Sequence, residues 1–206
     1  MGLEIELDIC YGDAVMRIKT LIWAAGILVV MLVVAGGVYA WRGRPSDVSR
    51  PQPTPDSNLV RYHVVGTSMD PTIKDGDWLL ARTDVKTVQR GNLVVMRYPK
   101  DETKVYCRRV IAVGGDKVVM KYYSNVKLTT VFTPDNPQGS VFPAGVTPVG
   151  NPYGEYDATV DMGSYYVVGD NTVPGGSYDS DEWGLLPQAD VAGVVTERTS
   201  PDPRKF

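Results

Sequence analysis

The segment Val64-Val65-Gly66-Thr67-Ser68-Met69-Asp70-Pro71-Thr72 holds the residues best suited to do chemistry. Apolar β-formers lead into a glycine that frees the backbone, then a serine, then a proline that ends the run. Such a segment presents a hydroxyl at the end of a strand, with backbone N–H groups near enough to stabilise an oxyanion. Taken alone it also describes an ordinary turn. The chain has one histidine, His63, and two cysteines, Cys10 and Cys107. A Ser-His-Asp triad, a His-rich metal site or a disulfide framework therefore has little material to work with.

The other elements must hold that hydroxyl in place. Leu21 to Ala40 carries no charged residue and spans roughly 30 Å as a helix, enough for a bilayer core. Arg17 and Lys19 flank one end and Arg42 and Arg44 the other, so basic residues do not set the orientation. A cleaved secretory leader would offer Val38-Tyr39-Ala40 as its cut site. However, the apolar run exceeds the roughly 7–15 residues of such a leader, and acids precede it. We expect a tail over 1–19, an anchor over 20–41 and a Pro/Ser-rich flexible tether over 42–58. A β domain over 59–198 and a short tail over 199–206 complete the chain. Strand-like runs lie at Val60–Val65, Trp78–Arg82, Leu93–Tyr98, Lys104–Val113, Lys117–Tyr123, Ser164–Val168 and Val191–Thr196. A Pro/Gly/Asn-rich interval occupies 134–155, as either a lid or a connection. The fold class is mainly β: one irregular antiparallel sheet domain on a single transmembrane helix. A net charge of -3 gives no basic footprint for nucleic acid.

Further segments follow in order: Asp75-Gly76-Asp77-Trp78-Leu79, Arg90-Gly91-Asn92-Leu93-Val94-Val95, Tyr106-Cys107-Arg108-Arg109-Val110 and Gly169-Asp170-Asn171. Ser177-Tyr178-Asp179-Ser180 and Trp183-Gly184-Leu185-Leu186-Pro187 close the series. Together with the serine segment they resemble the bacterial type I signal peptidases, membrane-anchored serine endopeptidases that remove signal peptides from exported proteins. The glycine two before the serine resembles the single-anchor, Gram-positive form. The resemblance implies that Ser68 is the nucleophile, with an oxyanion hole from the Ser68 N–H and a donor near Gly66. It also implies a charge network through Arg109, Asp170, Ser177 and Asp179. An extended substrate, small at its cleavage site (Ala-x-Ala), would be gripped by backbone pairing at Tyr62, Val64, Val65, Val105 and Cys107. Its partners would be signal peptides of exported precursors and the bilayer, without cofactor, metal or nucleic acid. The domain would lie on the extracytoplasmic face.

The sequence departs from the family at its second catalytic position. Family members carry a neutral lysine as general base where this chain has Arg108. Neutralising arginine at pH 7 costs about 7.5–9 kcal/mol, so burial that would deprotonate a lysine leaves arginine charged. Lys104 lies four residues earlier, about 13 Å away along a regular strand. His63 is five before Ser68, on the opposite face of an unbroken strand unless Gly66 interrupts the alternation. Lys74 and Lys117 read as solvated turn residues. A second departure is Asp179-Ser180-Asp181, where Asp-Ser-Arg is usual, with two extra residues between Asn171 and Ser177. We expect Asp181 or Asp179 to pair with Arg108. Turnover with an altered base competes with a catalytically impaired homologue that binds precursors or pilin-like subunits as an assembly factor. A self-cleaving regulatory protease would also need a neutral lysine.

Overall fold

The structure, a computed structural model, describes residues 47–53, 58–200 and 203–206. The anchor expected at 20–41 lies outside them. Thirteen strands run in chain order among the described residues. They are β1 (Asp47–Pro53), β2 (Leu59–Val65), β3 (Trp78–Arg82), β4 (Leu93–Tyr98), β5 (Asp101–Val113), β6 (Lys117–Tyr122) and β7 (Lys127–Thr133). After them come β8 (Asn136–Phe142), β9 (Gly154–Thr159), β10 (Ser164–Val168), β11 (Leu186–Pro187), β12 (Val191–Ser200) and β13 (Arg204–Lys205). One four-residue helix, α1 (Ser180–Trp183), precedes β11.

The fold is mainly antiparallel β. The larger sheet runs β1-β2-β3-β12-β4-β5-β10-β11, and β1 also pairs with β5. The path β1-β2-β3-β12-β4-β5 therefore closes on itself, which removes free edges. In β2, Tyr62 and Val64 are buried while the intervening residues are half-buried, the period-two pattern of a one-sided sheet. Leu93 to Met96 of β4 are all buried, as in a strand covered on both faces. Tyr62, Val64, Met69, Leu79, Val95 and Cys107 share one apolar cluster, and the body of Ser68's own loop thus packs into the core.

A second sheet, β8-β7-β6-β9, takes up both ends of the interval expected to be a lid or a connection, and 143–153 join its strands β8 and β9. Residues 136–142 form its edge strand, paired to β7. Within the expected tether, residues 47–53 form β1, so that segment is ordered strand over seven residues.

Candidate active site

The loop after β2 is pinned back onto its own strand. Val64 N–H donates to Asp77 O at 2.8 Å, and Gly76 N–H donates to Val64 O at 3.0 Å. Gly66 has φ 100°, a conformation that favours glycine, and there the chain leaves strand geometry. Asn171 then fixes the segment from the opposite side. Its N–H donates to Ser68 O at 3.0 Å, and its side-chain amide donates to Thr67 O at 3.0 Å. Gly169 lies so close that a Cβ there would sit 2.4 Å from Ser68 O.

Ser68 is brought to Arg108 as expected. Arg108 Nη1 donates to Ser68 Oγ at 3.0 Å and to Cys107 O at 2.7 Å. Its other face donates to Tyr178 O from Nη2 (2.9 Å) and Nε (3.2 Å). Arg108 Nε also lies 3.1 Å from Asp179 Oδ1. Both Ser68 and Arg108 are 0% exposed. The hydroxyl is therefore covered rather than displayed at an open edge, because residues 169–171 press on its backbone and the guanidinium caps its oxygen.

The two acids near position 180 have separate tasks. Asp179 is the partner of Arg108. Asp181 instead takes a hydrogen bond from the Tyr122 hydroxyl at 2.6 Å and lies 3.6 Å from Lys127 Nζ. Its side chain is fully buried, and burial holds its carboxyl above the usual carboxylate range.

Lys127, absent from the residues expected at the site, joins the two acids. Its ammonium donates to Asp179 Oδ2 at 2.9 Å and to Ser177 O at 3.4 Å, and the residue is only 3% exposed. Burial works to lower its pKa, but the charges of Asp179, Asp181 and Glu182 outweigh that and hold it above the ordinary lysine value. Lys127 is therefore a buried cation and not a base. Among the side chains buried in the cluster, two cations, Arg108 and Lys127, face two acids, Asp179 and Asp181, with the Glu182 carboxyl at its margin. A cue existed in the sequence, since two acids at 179 and 181 need two cations and Arg108 is one.

The remaining expected residues divide. Arg109 and Asp170 are brought together, the guanidinium clamping the carboxylate bidentately at 2.7 and 2.6 Å. Ser177 Oγ donates to Asp179 Oδ2, so it orients that carboxylate and not the group at 108. The Gly66 N–H, expected near an oxyanion, is donated to Asp75 Oδ1 at 2.8 Å. Gly66 thus supplies the bend and its donor is committed elsewhere. The His63 ring lies tilted against that of Trp78, 4.8 Å between centroids, on the side of β2 away from buried Tyr62 and Val64. Lys104 pairs with Asp101 at 3.2 Å, and Lys74 and Lys117 are exposed. Of the expected groove residues, Tyr62, Val64 and Cys107 turn their side chains into the core, whereas Val65 is exposed and Val105 half-buried. Burial also pushes the Cys107 thiol up to about 12, which keeps it unreactive at neutral pH.

Glu182 gives this cluster a pH signature. Its Oε2 accepts the Asp179 N–H at 2.5 Å, and burial of the carboxyl, the largest cause, pushes its pKa up to about 7 from 4.5. The folded state therefore binds more protons than the unfolded one between these values, and stability falls as pH rises through that window. The residue as a whole is exposed, so solvent screens the effect. Glu182→Gln keeps an acceptor for Asp179 and is expected to flatten the decline in melting temperature between pH 4.5 and 7.

The family model described as signal peptidase, peptidase S26, matches residues 57–199. Signal peptidase IB of Staphylococcus aureus (strain COL) is 33% identical over 157 residues, covering 69% of this chain and 78% of its own. Signal peptidase I V of Bacillus subtilis (strain 168) is 31% identical over 149 residues, covering 68% of this chain and 84% of its own. A signal peptidase I structure from Enterococcus faecalis V583 aligns with 55% of this chain and 100% of its own, at 24% identity and a TM-score of 0.40. With 143 consecutive residues, from 57 to 199, matched by one family model, the chain belongs to the signal peptidase family, peptidase S26.

Proposed function

We propose that this chain is a membrane-anchored endopeptidase that cleaves signal peptides from exported precursors after small residues (Ala-x-Ala). Its domain would lie on the extracytoplasmic face, with Ser68 as nucleophile. The observation that carries this reading is the 3.0 Å contact between Ser68 Oγ and Arg108 Nη1, inside a charge-balanced pocket. Arg108 donates to the hydroxyl oxygen and so favours its deprotonated form. A unit charge at that distance in an effective dielectric of 20 is worth on the order of 5 kcal/mol. A guanidinium keeps its proton at any pH that proteins tolerate, so it does not take the serine proton. That proton goes to solvent hydroxide. The alkoxide adds to the scissile carbonyl carbon, and the Ser68 N–H would stabilise the oxyanion. Collapse breaks the C–N bond, the leaving amine takes a proton from water, and hydroxide then hydrolyses the acyl-serine to restore Ser68. The substrate strand pairs with the backbone of Tyr62–Val65 and Val105–Cys107, which supplies affinity independent of side chains.

Ser68→Ala is expected to lower cleavage of a precursor peptide containing Ala-x-Ala by about 10³-fold or more, with the fold intact. Equal cleavage by Ser68→Ala and the native chain would remove Ser68 from the reaction. Peptide binding without cleavage by either would assign the chain to precursor binding alone.

A further inference from the structure

The groove to which the proposed reading assigns an extended precursor already contains a strand. Asp47 of β1 pairs with Val65 on one rim and with Tyr106 on the other. Val48 pairs with Val64 and Ser49 with His63. After a register shift, Gln52 pairs with Arg61 and Pro53 with Val60. Val65, Val64, His63 and Tyr106 belong to the backbone rims named above for the substrate, and Arg61 and Val60 continue one of them. A strand edge offers a single row of donors and acceptors, so β1 and a precursor cannot both occupy it.

We propose that residues 47–53 are an intramolecular occupant of the substrate groove, which must leave before a precursor strand can enter. This inference rests on the groove reading given above. Only the five residues 54–58 separate β1 from β2, so β1 competes at the high effective concentration of a short tether. It is also built to leave. Pro51 and Pro53 donate no backbone hydrogen bond, the ladder is interrupted between Ser49 and Gln52, and ladder pairing with β5 is confined to Asp47 and Tyr106. The natural competitor is a polypeptide in extended form that satisfies both rims along their full length.

The test measures binding of a fluorescent peptide containing Ala-x-Ala by anisotropy. It uses the full chain in detergent carrying Ser68→Ala, so that the probe survives. Adding Val48→Pro and Ser49→Pro removes two more donors from β1. That chain is expected to bind about tenfold more tightly. A second protein carries Ser49→Cys and His63→Cys, a register pair, in the Ser68→Ala background. Its oxidised form is expected to bind at least tenfold more weakly than the same protein after reduction, which keeps the test valid if the proline variant folds poorly. Equal affinity in oxidised and reduced forms would overturn the inference while leaving the groove reading standing. Binding by none of the proteins would overturn both.

Discussion

Replacing Arg108 with lysine is expected to raise kcat/KM on an Ala-x-Ala precursor by about 10²–10⁴-fold near pH 8, the usual worth of a positioned general base. Position 108 is fully buried beside the Ser68 hydroxyl, and burial drives a lysine toward its neutral form. The nearest carboxylate, Asp179, would ordinarily oppose this by holding the lysine charged. Here Asp179 also bonds to Lys127 at 2.9 Å and to the Ser177 hydroxyl, which weakens its hold on position 108. Adding Asp181→Asn removes the carboxylate left unbalanced when the lysine at 108 is neutral. A lysine there also lacks the fork with which arginine holds Ser68 Oγ, Tyr178 O and Asp179 at once. Steady-state kinetics on the purified variant checks this. A rate equal to or below that of the native chain would show that the lysine stays protonated, or that the hydroxyl is misplaced.

The second large effect is on stability. Lys127→Met is expected to destabilise the domain by about 3–5 kcal/mol, because it leaves two buried carboxylates with one cation between them. For a domain of this size that lowers the melting temperature by on the order of 10 °C. Asp181→Asn introduced with Lys127→Met is expected to recover part of the loss, since it removes the excess charge and keeps an acceptor for the Tyr122 hydroxyl. Denaturant unfolding of both single variants and the double variant gives the coupling directly. Additive losses would mean that Lys127 and Asp181 do not depend on each other.

How much was legible from sequence depended on whether residues declare their surroundings locally. Leu93–Tyr98 and Ser164–Val168 match the observed strands because uninterrupted or alternating apolar runs record burial. Residues 136–142 contain Pro137 and Gly139 and bury no side chain, so nothing in their pattern separates an edge strand from a loop. The pairing of β1 with β2 and, at Asp47, with β5 was likewise hidden in a segment whose composition reads as a tether. At the site, Ser68, Arg108, Arg109, Asp170 and Asp179 could be placed by their motifs. The choice between Asp179 and Asp181 could not, because residues two apart separate only once α1 sets their directions. Lys127 was missed for a related reason. A lysine is normally solvent-exposed, and only the approach of β7 to the 177–181 segment buries it.

The central claim is that Ser68 attacks while the guanidinium beside it keeps its proton, and the pH dependence of kcat/KM tests it most directly. For the native chain on an Ala-x-Ala precursor, the rate should climb about tenfold per pH unit from pH 6 to 9 without levelling, and Ser68→Ala should abolish it. A native profile that levels near pH 7, as a neutral side-chain base would give, or a rate that survives Ser68→Ala, would contradict the account.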